Sequence, residues 1–388
     1  MFISSCILIA FIVNVINGEH VNLIDSFLNL FDGKSIKLCI GFPSIKINGN
    51  LSFKYGFSYI TYTEYNPKYS RSVKIESDFF SKTMGNETYL VQLVTDKIYM
   101  EKSHQEVSQL KIVSIPFNDV FPINQNSISL SLNHIDNSYS LIHALYNQEV
   151  ISSLKFGFEN DLVGSGILFF GDIPSNLTYN NSHSFHCKVN NQSHTQWNCK
   201  LGKHITIGQY TYNNKYDTVY FNVESKSNYV PFDFMLFLNE TIFKSYIEKK
   251  VCEFYSKAHS DNWKFFCNCD EIMNFPNLTI ILGEFEVTLK PYELWDEIQN
   301  NCYFFYESYE SVYGNNFVFQ NSFIGEYNTE FDYKLQRITF YSRSQTSQKI
   351  VTTMNNQNEI KVIYLIIIIL LITISIYLSC NIKYYVYN

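Results

Sequence analysis

The sequence predicts an all-β body with few short helices, and three observations carry that reading. Short runs of Val, Ile, Tyr and Phe alternating with polar residues recur between Asn, Gly and Ser turns. Helical periodicity is scarce, and the best helix candidates are YSLIHALYNQEVIS at 139–152 and the segment from Phe234 to Phe254. Tyr and Phe number 30 and 33 in a chain of 388, a composition that suits strands and fills a core. Charged residues make up only 17%, the same share as aromatics, so most of the length is ordered. With 36 acidic against 29 basic side chains, a formal charge of −7 and no Lys/Arg cluster, nucleic acid is not the expected partner. Coiled-coil, collagen and short-period repeat patterns are absent from the sequence.

Taken in order, residues 1–18 read as a secretory signal peptide, an apolar run from Phe2 to Val13 closing on small or polar residues before Gly18. Strand candidates follow: LSFKYGFSYITY, LVQLVTDKIYM, SISLSLN, GSGILFFGDI, KLGKHITIGQY, DTVYFNVES, NLTIILGEFEVTL and KLQRITFY. Residues 342–361 are polar and rich in Asn, Gln, Ser and Thr, as in a flexible stalk. Val362 to Cys380 carries no charge over 19 residues, which at about 1.5 Å per residue matches the hydrocarbon core and predicts a transmembrane helix. Lys361 and Lys383 flank it symmetrically, so the signal peptide decides the orientation: a lumenal or extracellular body and a cytosolic tail at 381–388. The expected localisation is the secretory pathway or the cell-surface membrane, as a single-pass type I protein. Sequons at Asn50, Asn86, Asn176, Asn180, Asn191, Asn239 and Asn277 agree with that topology.

Seven cysteines lie in the expected lumenal body: Cys39, Cys187, Cys199, Cys252, Cys267, Cys269 and Cys302. An oxidising compartment makes disulfides the default, and an odd number leaves one outside. Cys39 falls in the apolar run IKLCIGF and is the expected buried exception. Cys187 and Cys199 flank a polar turn that reads as a hairpin, which makes them a candidate pair, while the pairing among Cys187, Cys199, Cys252 and Cys267 stays open. Cys267-Asn-Cys269 has no second Cys/His pair at ligand spacing, so neither a metal site nor a cofactor is expected.

A run of motifs resembles the pepsin-like aspartic proteases. Ile40-Gly41-Phe42-Pro43 is similar to the opening segment of that family's first lobe, and Phe53-Lys54-Tyr55-Gly56-Phe57-Ser58 stands where the family carries Asp-Thr-Gly-Ser-Ser. Met84-Gly85, twelve residues before Asp96, takes the place of the flap; Ile128-Ser129-Leu130 and Gly166 to Gly171 (GILFFG) resemble later strands. Trp197, Leu201, Ile205 and Gly208 continue the pattern. VYFNVESKSNYVP (219–231) matches the second catalytic strand with Asn222 at the acid, and 317–341 resembles the closing strands. The spacing from Cys269 to Cys302 is similar to the disulfide loop of the family's second lobe, which implies that bond. The resemblance implies a bilobal pepsin-like fold, with lobes at 19–174 and 175–341, and a topology similar to membrane-anchored proteases of the memapsin kind.

Such a protease needs two carboxylates sharing one proton around a water. Here the resemblance sets Lys54 and Asn222 at those positions, Glu224 in place of a loop glycine, Ser129 and Gln320 in place of strand glycines, and Met84 at the flap tyrosine. An ammonium cannot act as the base, and an amide takes no proton at ordinary pH. Glu224 and Asp332 are the acids nearest to a replacement role; Asp332 is expected in a surface turn, and a Lys54–Glu224 ion pair is weighed against two separately solvated side chains. The function implied is an inactive protease-like domain that binds a peptide or protein ligand in its cleft. The alternatives are a divergent active aspartic endopeptidase and a surface glycoprotein with no cleft ligand.

Overall fold

Alternation sets the strands, as the burial of single side chains shows. In Leu278–Leu282 the side chains at 278, 280 and 282 are buried and the intervening two are not, the period of two that a sheet with one wet face requires. The computed structural model describes residues 35–53, 56–84, 87–99, 106–116, 126–132, 139–160, 166–172, 184–190, 196–223, 225–256, 262–298, 301–309 and 316–342. The expected signal peptide at 1–18, the expected stalk at 342–361 apart from Ser342, the apolar run at 362–380 and residues 381–388 lie outside these residues. Among the described residues no helix is long and apolar enough to cross a membrane.

The first sheet holds eight strands: β1 (Ser35–Ile40), β2 (Ile45–Ser52), β3 (Ser58–Thr61), β4 (Lys74–Ile75), β5 (Phe80–Met84), β6 (Glu87–Tyr99), β7 (Glu106–Ile115) and β8 (Asn126–Ser129). A second, five-stranded sheet begins with β9 (Lys155–Asn160), β10 (Gly166–Phe170) and β11 (Ser184–Lys188). The chain then enters a nine-stranded and a four-stranded sheet. These contain β12 (Asn198–Lys200), β13 (His204–Ile207), β14 (Tyr210–Asn213), β15 (Thr218–Phe221), β16 (Asn228–Tyr229), β17 (Cys252–Ser256), β18 (Asn262–Asn268), β19 (Leu278–Leu282), β20 (Phe285–Leu289), β21 (Trp295–Ile298), β22 (Asn301–Phe304), β23 (Tyr306–Tyr309) and β24 (Phe317–Phe319). Last come β25 (Tyr327–Asp332) and β26 (Arg337–Ser342), which return to complete the five-stranded sheet in the order β10-β9-β25-β26-β11.

The eight- and nine-stranded sheets share a six-strand plan. The order β1-β2-β8-β3-β7-β6 in the first recurs as β12-β15-β24-β16-β23-β18 in the second. Successive junctions are antiparallel, parallel, antiparallel, parallel and antiparallel in both. Chain order is kept as well, so the two halves are topological repeats.

One aromatic nucleus joins the first sheet to the five-stranded sheet. Phe156 stacks on Phe331 with centroids 4.7 Å apart, and Phe53 meets both edge-on. On the other face of β9, Gly157 leaves room for the Phe169 ring, because a Cβ there would run into that ring and the Thr329 carbonyl. A second nucleus gathers Phe243, Phe265, Phe275, Trp295 and Phe304, with Phe243 and Phe265 stacked at 3.8 Å.

Both predicted helical segments contain helix, and each is shorter than predicted. Leu141–Asn147 is helical, with the Ser140 side chain capping the His143 N–H. The second runs from Phe232 to Glu248 through a π turn at Asn239–Phe243. It stops because Lys250 adopts φ +57°, and Cys252 to Phe254 pair with β18 instead of continuing the helix.

Candidate functional site

The repeats set two loops at matching places, 53–57 between β2 and β3 and 222–227 between β15 and β16. Their register is fixed by shared partners. Ser127 pairs with both Asn50 and Tyr59, and Val318 pairs with both Tyr220 and Tyr229, so the same nine-residue step spans each loop. Counting from those pairs, Ser52 stands at the step of Asn222, and Ser129 at the step of Gln320. A hydrogen bond repeats with them: the Ser129 N–H donates to Ser58 Oγ at 3.0 Å, and the Gln320 N–H donates to Asn228 Oδ1 at 2.7 Å. The register therefore pairs Asn222 with Ser52, two residues before Lys54. Lys54 falls at the step of Glu224, and both lie outside the described residues.

Around the second loop, amides brace backbone. The Val223 N–H donates to Asn222 Oδ1 at 2.8 Å, the Ser225 N–H to Gln320 Oε1 at 2.8 Å, and Asn321 Nδ2 to the Val223 carbonyl at 3.0 Å. Asn222, Gln320 and Asn321 are all buried. Gln320 Nε2, Asn321 Oδ1 and Ser322 Oγ are buried with no hydrogen-bond partner, so this pocket of polar groups is only partly satisfied. The first loop uses hydroxyls, Ser58 Oγ for the Ser129 N–H and Ser129 Oγ for the Ser131 N–H at 3.3 Å, beside a backbone bond from the Leu130 N–H to the Ser52 carbonyl at 2.8 Å.

Chemically, a hydroxyl and an amide at the matched steps supply neither a base nor an acid near neutral pH. They offer uncharged donors and acceptors.

Other predicted residues fall as follows. Met84 ends β5 opposite Glu87, at the end of the β5–β6 hairpin. Cys269–Cys302, Cys187–Cys199 and Cys252–Cys267 are disulfides, and Cys39 is buried outside any disulfide. Three disulfides are those of a body folded in an oxidising compartment, extracellular or secretory. Asn50 sits within β2, Asn239 opens the π turn and Asn277 is exposed, whereas Asn86, Asn176, Asn180 and Asn191 lie outside the described residues. Asp332 departs from its surface-turn expectation. It is buried at the end of β25, where its carboxylate accepts the Leu335 N–H at 2.8 Å and lies 3.9 Å from Lys155. A turn that needs an acceptor for its N–H, beside a lysine, draws that carboxylate inward.

Two clusters went unread in the sequence. Asp96, buried in β6, accepts hydrogen bonds from Tyr65 Oη, from Ser72 Oγ at 2.5 Å and from the Lys97 N–H at 2.8 Å. In the five-stranded sheet, Lys155 lies 3.1 Å from Asp172 and 3.6 Å from Glu330. Burial pushes the Glu330 carboxyl up, with Lys155 pulling the other way. Alternation marks Glu330 and Asp332 as sharing a face, but only strand pairing brings Lys155 to them. Ser52 had a signal too: the two halves align with each other on Tyr59 and Tyr229.

No protein-family model matches this chain, and no curated protein matches it. Among the described residues no group of three or more His, Cys, Asp or Glu is placed to hold a metal ion.

Proposed function

We propose that this chain is a membrane-anchored protein with a bilobal, pepsin-like domain that no longer cleaves peptides and instead binds a peptide or protein segment between its lobes. The observation that carries the reading is the pair of topological repeats with Ser52 and Asn222 at matched steps of their loops. A doubled sheet plan with one functional loop per half fits a site built from both halves. The ordered motifs from Ile40 to Phe340 support the family, and the apolar run at 362–380 supports the anchor.

Neutral side chains at both steps remove the proton sharing on which paired-acid hydrolysis depends. Gln320 stands where the resembled family has a strand glycine, and it and Asn321 brace the second loop, which opposes recovery of a water site. Binding survives such losses, because an extended peptide is held largely by strand-like hydrogen bonds and side-chain pockets.

The test incubates the full-length chain in detergent with a diverse peptide pool between about pH 3 and pH 6, where a carboxylate pair would share its proton. The expected result is saturable peptide binding without cleavage, unchanged in cleavage by Ser52→Asp with Asn222→Asp. Reproducible cleavage overturns the reading: lost in Ser52→Ala with Asn222→Ala, it indicates new chemistry in these loops; surviving that change, it indicates an active centre elsewhere.

A further inference from the structure

Cys252, Cys267 and Cys302 form one row across three strands. Cys252 faces Cys267 between β17 and β18, and Cys267 faces Cys302 between β18 and β22. Directly opposed residues in antiparallel strands share a face, and all three are buried on the core side. The bonds in the structure join Cys252 to Cys267 and Cys269 to Cys302. Cys267 therefore has two in-register cysteine neighbours and is bonded to one.

A residue in a middle strand makes a narrow pair with one neighbour and a wide pair with the other. The Cα atoms of Cys252 and Cys267 are 4.0 Å apart, the narrow kind. That leaves the wide kind, about 5.5 Å, for Cys267 and Cys302, inside the range of about 4.4–6.8 Å that a disulfide spans. The second pairing needs no movement of strands.

Exposure gives the row a direction. Of the six disulfide cysteines, Cys269 alone is more than marginally exposed; the other five are buried. An incoming thiolate meets Cys269 first.

We propose that these four cysteines form a thiol–disulfide relay that takes two electrons from a dithiol at Cys269 and delivers a thiol at Cys252. One thiolate of the dithiol attacks Cys269 Sγ; the Cys269–Cys302 bond breaks and Cys302 leaves as a thiolate. Cys302 then attacks Cys267 Sγ, forming Cys267–Cys302 and releasing Cys252. The second thiol of the dithiol attacks its own sulfur in the mixed disulfide, so the dithiol is oxidised to its disulfide and Cys269 is left reduced. Two protons from the dithiol end on Cys252 and Cys269, and the number of disulfides in the protein falls by one. The relay stops there because β17 pairs only with β18, so that among the described residues Cys267 is the one cysteine in register with Cys252. Its consequence is the untying of β17, which follows the 232–248 helical segment, from β18.

The experiment treats the full-length chain with one molar equivalent of dithiothreitol, quenches in acid, unfolds, and alkylates at mildly acidic pH before peptide mapping. Expected are label on Cys252 and Cys269, a linked Cys267–Cys302 peptide, and about tenfold more label on Cys252 than on Cys302. Label on Cys269 and Cys302 with Cys252–Cys267 intact overturns the relay, as does label on Cys252 and Cys267 together or on all four. A chain with both Cys269→Ser and Cys302→Ser lacks the relay nucleophile and should leave Cys252 unlabelled at the same dose; label there shows direct reduction and overturns the proposal. If that variant does not fold, the wild-type map decides alone.

Discussion

The two topological repeats reach the same strand plan with different stabilisation. In the first, the loop after β2 is held by hydroxyls, and none of the six disulfide cysteines belongs to its strands. In the second, the loop after β15 is cross-braced by three amide side chains, and disulfides tie β17 to β18 and the end of β18 to β22. The first also leaves Phe79, Phe80 and Leu90 exposed around the β5–β6 hairpin, whereas the second buries a five-ring nucleus. Strand order thus constrains where a loop sits, while the side chains that rigidify it are free to differ. A hydroxyl carries its donor and its acceptor on one oxygen close to the backbone; an amide sets an acceptor and two donors on separate atoms of a longer side chain and so reaches across to a second backbone segment.

The largest test breaks the connection between the repeats. Trp197 is fully buried and its Nε1 donates to the Leu130 carbonyl at 2.8 Å, one residue beyond β8. Trp197→Ala should cost about 3–5 kcal/mol, and calorimetry should resolve two transitions in the variant against one in the wild type. A single sharp transition in the variant would show that the repeats are coupled by other contacts.

A smaller effect compares the two loops directly. Ser58→Ala and Asn228→Ala each strand a buried backbone N–H, at Ser129 and Gln320, at about 1–3 kcal/mol. Hydrogen exchange at Ser129 in the first variant should accelerate more than exchange at Gln320 in the second, because Gln320 Oε1 and Asn321 Nδ2 still brace the second loop. Equal or reversed acceleration would mean that the amides add no rigidity.

The smallest effect concerns the five-stranded sheet, which takes strands from the middle and the end of the chain. Its raised carboxyl at Glu330 binds a proton more tightly folded than unfolded. The stability it contributes is full below the ordinary value of 4.5 and is lost as pH rises through the folded value. Glu330→Gln lacks that loss, so its melting temperature relative to wild type should rise between about pH 4.5 and pH 7. A constant difference across that range would show that burial of Glu330 carries no proton linkage.

Local signals in the sequence reached the fold class, most strands, the buried Cys39 and the candidate pair Cys187–Cys199, because alternation and turn residues act over a few positions. The bond Cys269–Cys302 was implied only by a resemblance in spacing to another family's disulfide loop. Site register was harder to read. Gly56 drew the first-loop position to Lys54, whereas pairing of Asn50 and Tyr59 with Ser127, and of Tyr220 and Tyr229 with Val318, puts Ser52 at the step equivalent to Asn222. Asp332 looked like a surface-turn residue; it ends β25 and accepts the turn's Leu335 N–H, yet it is buried, with Lys155 arriving from β9. Helix propensity continued to Phe254, and strand pairing of Cys252 with Cys267 ended it sooner. What the sequence by itself determined is what neighbours in the chain decide: the period of burial, the turns, and the chemistry each position carries. Which strands pair, which side chains face one another across them and which cysteine lies beside two others were decided only by the tertiary structure. Those contacts join residues tens of positions apart, and no local pattern specifies the partner.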